Sequence, residues 1–415
     1  MKEILLISLS GTDKPGVTAA ISEILSHYQA NILDIGQAVI HKQLNVGILV
    51  EIPSIYEGSP TLKDILFCAH ELGMTVKFQP ISETNYSDWV EQQGKNRHIV
   101  TLLARQITAK QIAAVTTVIT RHCLNIDNIK RLSGRIPLDA LSSSLVELIQ
   151  PAQNKASIEF FVRGTPDKPA LLKSDFMELS TSLDIDIAFQ EDNIFRRNRR
   201  LVCFDMDSTL IEVEVIDELA KEAGVGAQVA AITAAAMRGE LDFKQSFTER
   251  MRLLAGLDEG VLATVAENLS LTEGAEKLIH TLKKLGYKTA ILSGGFDYFG
   301  HYLQQRLGID YVFANHLAIE AGKLTGEVVN PIVDGERKAD LLRELADKEN
   351  ISLEQVIAVG DGANDLPMLS IAGLGIAFRA KPLVKASAKQ SISQLGLDAI
   401  LYLIGFRDCD TLPVD

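Results

Sequence analysis

The sequence predicts an α/β protein: a Rossmann-like parallel-sheet core with an inserted helical cap, preceded by two ferredoxin-like βαββαβ units. Three observations predict it. Residues 3–79 run in the order strand, helix, strand, strand, helix, strand, and the same order restarts at His98. The apolar run Leu201-Val202-Cys203-Phe204 stops at Asp205-Met206-Asp207-Ser208-Thr209, as a strand covered on both faces does when its carboxyl end meets a ligand. Later apolar strands end in the polar clusters Ser293-Gly294-Gly295 and Asp361-Gly362-Ala363-Asn364-Asp365.

In the first unit, residues 3–9 form a strand, and Gly11 to Gly16 form a turn whose Pro15 suits the first turn of a helix reaching about Tyr28. Asn31 to His41 and Leu44 to Ile52 pair as a hairpin, Thr61 to Leu72 is helical, and Met74 to Gln79 is the last strand. Ser82 to Arg97 is polar and is expected to be a flexible connector. The second unit opens with His98-Ile99-Val100-Thr101-Leu102-Leu103 and a helix from about Lys110 to His122. His27-Tyr28-Gln29-Ala30-Asn31-Ile32 aligns with Arg121-His122-Cys123-Leu124-Asn125-Ile126, each asparagine opening the second strand of its unit. A longer connection containing Ser142-Ser143-Ser144 leads to a strand Ser157 to Val162, a helix near Leu171 to Leu183 and a strand Asp184 to Phe189. Glu191 to Arg200 carries Arg196-Arg197-Asn198-Arg199-Arg200 and is expected to be a solvated linker, because the basic run is short and sits in an acidic chain.

A chain of 415 residues, 47% of them hydrophobic, can bury several cores, and the expected division is 1–81, 98–190 and 200–415, with the cap at about 212–272. The formal net charge of -13 repels phosphate backbones and anionic bilayers, so neither nucleic acid nor a membrane is an expected partner. Cys68, Cys123, Cys203 and Cys409 are scattered, which predicts reduced, buried thiols rather than a zinc site or a disulfide framework. The start has too short an apolar run for a signal peptide, and no stretch approaches membrane-spanning length, so the expected compartment is the cytoplasm.

Glu212 to about Leu271 reads as helical, with Val215-Ile216-Asp217-Glu218-Leu219-Ala220 and Asp242-Phe243-Lys244-Gln245-Ser246-Phe247 on amphipathic periodicity. A helical block placed directly after the first strand of a sheet suits a lid over the site. The alternation returns with a helix around Ala275 to Leu285 and a strand from Tyr287 to Leu292, ending where a hydroxyl and glycine amides can approach a phosphate oxygen. His316 to Asn330 is a hairpin turning at Ala321-Gly322-Lys323, and Gln355 to Gly360 is a buried strand running into acids. Lys338, early in the intervening helix, reads on its own as a surface charge. The i, i+2 spacing of Asp205 and Asp207 puts both side chains on one side of an extended segment and leaves the carbonyl free. That arrangement suits a hard cation such as Mg²⁺ beside a phosphoryl group.

Together, Asp205-Met206-Asp207-Ser208-Thr209, Ser293-Gly294, Lys338 and Gly360-Asp361-Gly362-Ala363-Asn364-Asp365 resemble the four motifs of the haloacid dehalogenase-like phosphohydrolases. Glu214, Met237, Phe243 and Arg250 in the helical insert resemble the cap residues of the branch that acts on phosphoserine. The resemblance implies Mg²⁺-dependent hydrolysis of O-phospho-L-serine to L-serine and phosphate, the last step of L-serine biosynthesis. It implies that Asp205 attacks phosphorus, and that Asp207 protonates the leaving oxygen and then activates water. It places Mg²⁺ on the carboxylates of Asp205 and Asp361 and the main-chain carbonyl of Asp207, with Asp365 behind them. Ser293, Gly294, Lys338 and Asn364 would hold the phosphoryl group, and Glu214, Met237, Phe243 and Arg250 the amino-acid end.

Residues 1–190 resemble tandem ACT domains, regulatory modules that bind amino acids at paired interfaces. The resemblance implies an amino-acid effector such as L-serine, with Asp13 and Gly16 as effector-binding residues, and a homodimer. At the equivalent turn the second unit has Arg105-Gln106-Ile107-Thr108 and lacks the Pro-Gly pair. A packing module without ligand stays open for both units. Two other readings of the whole chain also stay open: a phosphotransferase to another hydroxy amino acid, and an amino-acid sensor with a vestigial hydrolase domain.

Overall fold

The computed structural model describes residues 3–56, 59–92, 94, 96–135, 154–237 and 240–411, so Ser142-Ser143-Ser144 lies outside the described residues. Two compact units make up the chain, residues 1–95 and 96–415. In the first, β1 (Glu3–Thr12), α1 (Val17–His27), β2 (Asn31–Ile40), β3 (Gln43–Ile52), α2 (Ser59–Glu71) and β4 (Met74–Ile81) build an antiparallel sheet in the order β2-β3-β1-β4. Period-two alternation puts Leu5, Ile7 and Leu9 of β1 and Val46, Ile48 and Val50 of β3 into one core with Val17, Ile21 and Leu25 of α1. The expected flexible stretch after β4 is instead largely a helix, α3 (Glu83–Gln92). Ser82 Oγ accepts the Asn85 N–H at 3.2 Å at its start, Glu83 lies in its first turn, and Tyr86 packs on Trp89 with ring centres 6.0 Å apart.

The second unit opens with the same order again: β5 (Arg97–Ala104), α4 (Ala109–Arg121), β6 (Asn125–Arg131), β7 (Ala156–Arg163), α5 (Pro169–Leu183) and β8 (Asp186–Glu191), arranged β6-β7-β5-β8. Asn31 and Asn125 each open a second strand, as the repeat predicts. The Glu191 to Arg200 segment is mostly exposed, as expected, except that Arg196 is 1% exposed and Arg199 5%. Arg196 pairs with Glu159 of β7, and Arg199 donates to the Glu354 carbonyl; a buried guanidinium needs such partners.

The rest of this unit contains β9 (Leu201–Phe204), α6 (Val215–Glu222), α7 (Gly226–Met237), α8 (Phe243–Leu253), α9 (Gly260–Glu267), α10 (Ala275–Lys284), β10 (Lys288–Phe296), α11 (Asp297–Leu307) and β11 (Tyr311–Asn315). It continues with β12 (Leu317–Glu320), β13 (Lys323–Val328), α12 (Gly335–Lys348), β14 (Val356–Gly360), α13 (Leu366–Ile371), β15 (Leu374–Phe378), α14 (Pro382–Ser387), β16 (Gln390–Ile392) and α15 (Ile400–Leu403). The main sheet is parallel, in the order β11-β10-β9-β14-β15-β16. Val202 and Phe204 of β9 enter one core while Leu201 and Cys203 enter the other, which is why this strand is apolar without alternation. The winding direction reverses between β9 and β14, and the crevice at such a reversal is where open α/β sheets bind ligands.

Helices α6 to α9 form the insert between β9 and β10. Its two linkers pair with each other: Glu212 N–H donates to Ser270 O at 3.1 Å and Thr272 N–H to Leu210 O at 2.9 Å. The hairpin β12–β13 turns at Ala321 and Gly322, both left-handed with φ of 50° and 75°. The cysteines correct the expectation of buried thiols: only Cys203 is buried, Cys68 is intermediate, Cys123 and Cys409 are exposed, and all four are free. Among the described residues no helix is long and apolar enough to cross a membrane.

Candidate active site

Asp205 directly follows β9, and its N–H donates to Val359 O of β14 at 2.9 Å, which ties the two strand ends at the reversal point. Its carboxylate is nearly buried; Oδ1 accepts the Met206 N–H at 2.8 Å and lies 2.8 Å from Lys338 Nζ. The backbone then turns sharply, with Ser208 in the left-handed region at φ 55°. The turn separates the surroundings of the two acids. Asp207 Oδ1 accepts the Val215 N–H at 3.0 Å from the first turn of α6. Burial, then the neighbouring Glu214 and Asp205, hold the Asp207 carboxyl well above the usual carboxylate range.

Three carboxylates converge beside this turn: oxygens of Asp205, Asp361 and Asp365 lie within 4.8 Å of one another. Lys338, fully buried in the first turns of α12, reaches Asp205 Oδ1 at 2.8 Å and Asp365 Oδ1 at 2.6 Å. Burial alone would disfavour the Lys338 ammonium; the two carboxylates outweigh it and raise its pKa. Asp365 commits its other oxygen to the Gly362 N–H at 2.9 Å, and burial with Asp205 nearby pushes it up to about 6. Asp361 is only half-buried and receives the Thr209 hydroxyl at 3.2 Å; burial, Asp205 and Asp365 push it up to about 8. The pocket therefore holds more negative charge than one lysine balances. An all-oxygen set of this kind fits a hard divalent cation.

On the other side of β9, the end of β10 supplies Ser293 and Gly294. Ser293 is fully buried and its Oγ accepts the Gly295 N–H at 2.9 Å. Gly294 lies under the cap: a Cβ there would come 2.8 Å from the Phe243 ring. Phe243, Phe247 and Arg250 lie at i, i+4 and i+7 along α8, and so share the face turned to the sheet. Phe243 stacks on Phe247, and Phe247 packs on Phe296 of β10. Arg250 is half-buried; burial lowers its pKa, with Glu214, Asp217 and Asp207 close enough to oppose that. Glu214 sits at the start of α6, accepts the Ser208 hydroxyl at 2.8 Å, and is raised by burial and by Asp205. Asn364 is half-buried in the turn between Asp361 and Asp365. Met237 ends α7, and its side chain lies outside the described residues.

Asp13 and Gly16 belong to the first unit, in the turn after β1. Asp13 is exposed and its N–H donates to Lys42 O at 2.8 Å; Gly16 is left-handed at φ 93° and starts α1.

Three further residues shape the site. Thr209 lies within the quoted motif and its buried hydroxyl holds Asp361, a role that threonine two residues after the second acid could have suggested. Gly295 allows a close approach to the second acid, since a Cβ there would overlap Asp207 Oδ2. Asn315, 2% exposed, donates to Gly294 O and accepts the Val333 N–H, both at 2.8 Å, so it links the β10 loop to the segment leading into α12. No local pattern around Asn315 marks it.

Residues 202–370 match the haloacid dehalogenase-like hydrolase family, and residues 3–79 match the ACT domain family. The chain is 40% identical to a phosphoserine phosphatase of Streptomyces coelicolor, covering 99% of this chain and 95% of that one. It is 38% identical to phosphoserine phosphatase SerB2 of Mycobacterium tuberculosis, covering 97% and 93%. Among solved structures, a probable phosphoserine phosphatase from Vibrio cholerae in unliganded form superimposes with a TM-score of 0.57 at 33% identity, covering 75% of this chain and 87% of that one.

Proposed function

The chain belongs to the phosphoserine phosphatase family, and from that premise we propose that it hydrolyses O-phospho-L-serine to L-serine and phosphate, the last step of serine biosynthesis, with Asp205 as nucleophile and Asp207 as acid and base. The unequal surroundings of the two acids carry this assignment: Lys338 lies against Asp205, whereas Asp207 faces an amide and the carboxyl of Glu214. Asp205, held 2.8 Å from the Lys338 ammonium, attacks phosphorus and forms an aspartyl-phosphate as the bond to the serine oxygen breaks. A protonated Asp207 gives its proton to the departing serine oxygen, then takes one from the water that attacks the aspartyl-phosphate and restores Asp205.

Ser293, the Gly294 amide, Lys338 and Asn364 would hold the phosphoryl oxygens as charge moves between them. Arg250 pairs with the substrate carboxylate and Glu214 with its ammonium, while Phe243 excludes water beneath the cap. The carboxylates of Asp205 and Asp361 and the main-chain carbonyl of Asp207 would hold Mg²⁺, which neutralises phosphoryl charge when bound. Burial, together with the neighbouring carboxylates of Asp205 and Asp365, lifts Asp361 to about 8, and this crowding of acids supports a cation there. Asp365 stands behind, both its oxygens already engaged by Lys338 and Gly362.

The match of residues 3–79 to ACT domains supports an amino-acid effector such as L-serine at the turn containing Asp13 and Gly16. The free edge of β2 supports a homodimer, since Ile32, Ile35, Val39 and Ile40 are 42–73% exposed along it and bare apolar edges pair. Four free cysteines, two of them exposed, support a cytoplasmic location. The test is phosphate release from O-phospho-L-serine, phosphothreonine and a sugar phosphate, with Mg²⁺ or excess chelator, and with or without L-serine. Magnesium-dependent preference for phosphoserine is expected; preference for the sugar phosphate would remove Glu214 and Arg250 from substrate recognition.

A further inference from the structure

The turn that in the first unit is Gly11 to Gly16 is replaced in the second by Arg105 to Thr108, where Thr108 and Gln111 form a capping box on α4. Arg105 leaves this turn to grip Glu273 with two hydrogen bonds, Nη1 to Oε1 at 2.8 Å and Nη2 to Oε2 at 2.7 Å. Glu273 directly follows Thr272, the residue whose N–H closes the paired cap linkers against Leu210. The main chain holds the same residue, since Glu273 O accepts the Leu397 N–H at 2.7 Å, and Arg379 adds a second guanidinium at 2.8 Å.

A second pair lies beside the first. Ala104 and Ala156 are partners in the β5–β7 ladder, so Arg105 and Lys155 emerge together from one end of that sheet. Lys155 Nζ contacts both oxygens of the 3%-exposed Asp398 at 2.5 Å. Asp398 in turn packs on Gly274, which is left-handed at φ 80° and would place a Cβ 2.8 Å from the Asp398 N. The exit of the cap is thus fixed by two basic side chains from the module and two acids from the catalytic part. Paired and partly buried, these contacts are worth more than ordinary surface ion pairs.

We propose that the second βαββαβ module is the anchor of the cap hinge, with Arg105 and Lys155 as positioning residues that fix Glu273 and Asp398 and so set how Glu214 and Arg250 close over Asp205. A module of this type has exchanged its ligand turn for a strut. The kinetic part of the inference rests on the phosphoserine reading; the hinge itself does not.

The test is hydrogen exchange on the full-length protein, followed at the Glu212 and Thr272 amides that pair the linkers. Arg105→Gln should speed their exchange about tenfold, a size typical for coupling through a packed network, and leave β9 and β14 unchanged. Arg105→Lys, which keeps charge but not the fork, should give a smaller effect, and Lys155→Gln should act at the same amides. In parallel, Arg105→Gln should lower kcat/KM on O-phospho-L-serine about tenfold, mainly through KM, and leave an aryl phosphate that offers nothing to Glu214 and Arg250 within about twofold. Unchanged exchange at Glu212 and Thr272, or a uniform rise across the unit, overturns the anchor. Equal loss on both substrates overturns its link to the cap. Wild-type protein inert toward phosphoserine would dismiss the substrate reading and leave the exchange result to decide the hinge.

Discussion

Lys338→Met is the most informative single substitution in the site, because it keeps chain length and volume while deleting one buried charge. In the parent chain that ammonium lies 2.8 Å from Asp205 and 2.6 Å from Asp365, among three carboxylates gathered within 4.8 Å. Removing one partner of a buried pair costs about 3–5 kcal/mol, because the charges left behind have lost both water and counter-ion. For a unit of this size that is a fall in thermal midpoint on the order of 5–10 °C. The loss has a pH signature. Without the lysine, the folded-state pKa of Asp365, already raised by burial and held down by Lys338, rises further, so the variant gains stability on protonation and loses it as pH increases. Calorimetry in chelator should therefore find the deficit largest near pH 8 and shrinking toward pH 5, with turnover in Mg²⁺ lower by about 10²–10³. A deficit below about 1 kcal/mol, or one equal at both pH values, would refute the charge balance argued for the site.

Other outcomes follow from the same geometry. Arg250→Ala should reduce kcat/KM on O-phospho-L-serine by roughly 10- to 100-fold, the worth of a charged hydrogen-bonded pair; an unchanged value removes it from the site. Gly295→Ala places a methyl against Asp207 Oδ2 and Met206 Cε, both buried, and should cost about 10² in kcat together with about 1–3 kcal/mol of stability for the displaced neighbours. Asp186 of β8 is buried and pushed from 3.8 to about 6 by that burial, although the Ser393 and Gln394 amides donate to it at 2.8 and 2.7 Å. A raised acid weakens the fold as pH climbs through about 4 to 6, so Asp186→Asn, which still accepts both amides, should stabilise the protein at pH 8 by up to about 3 kcal/mol. Melting curves at pH 4 and 8 check it: a gain at pH 8 that vanishes at pH 4 is expected, and no gain contradicts it.

The reacting groups were legible because the fold brings them to strand ends, where acids, hydroxyls and glycines interrupt apolar runs. Asp205, Asp207, Asp361 and Ser293 all announce themselves in that way. Lys338 does not; a lysine in the first turns of a helix looks solvated, and only its place between two motifs suggests otherwise. The helix Glu83–Gln92 was missed because it buries little, so its signal is an N-terminal serine cap and one aromatic pair rather than an apolar stripe. Arg196 was misread for another reason. Its partner Glu159 lies 37 residues away on a neighbouring strand, and a local charge count has no access to a tertiary ion pair. The same holds for Arg105 and Glu273, 168 residues apart, and for Asn315, whose role exists only once two loops have met.

The central claim is that Asp205 carries the phosphoryl group during phosphoserine turnover. It is tested by mixing the enzyme, with Mg²⁺, with O-phospho-L-serine labelled in the phosphate, quenching in acid within one turnover, and mapping the labelled peptide. The account predicts label on the peptide containing Asp205, none in Asp205→Asn, and, in Asp207→Asn, label that forms slowly and, once formed, decays slowly, because both the acid for the leaving serine and the base for water are gone. Full phosphate release with no labelled peptide, or label on any other residue, would contradict it.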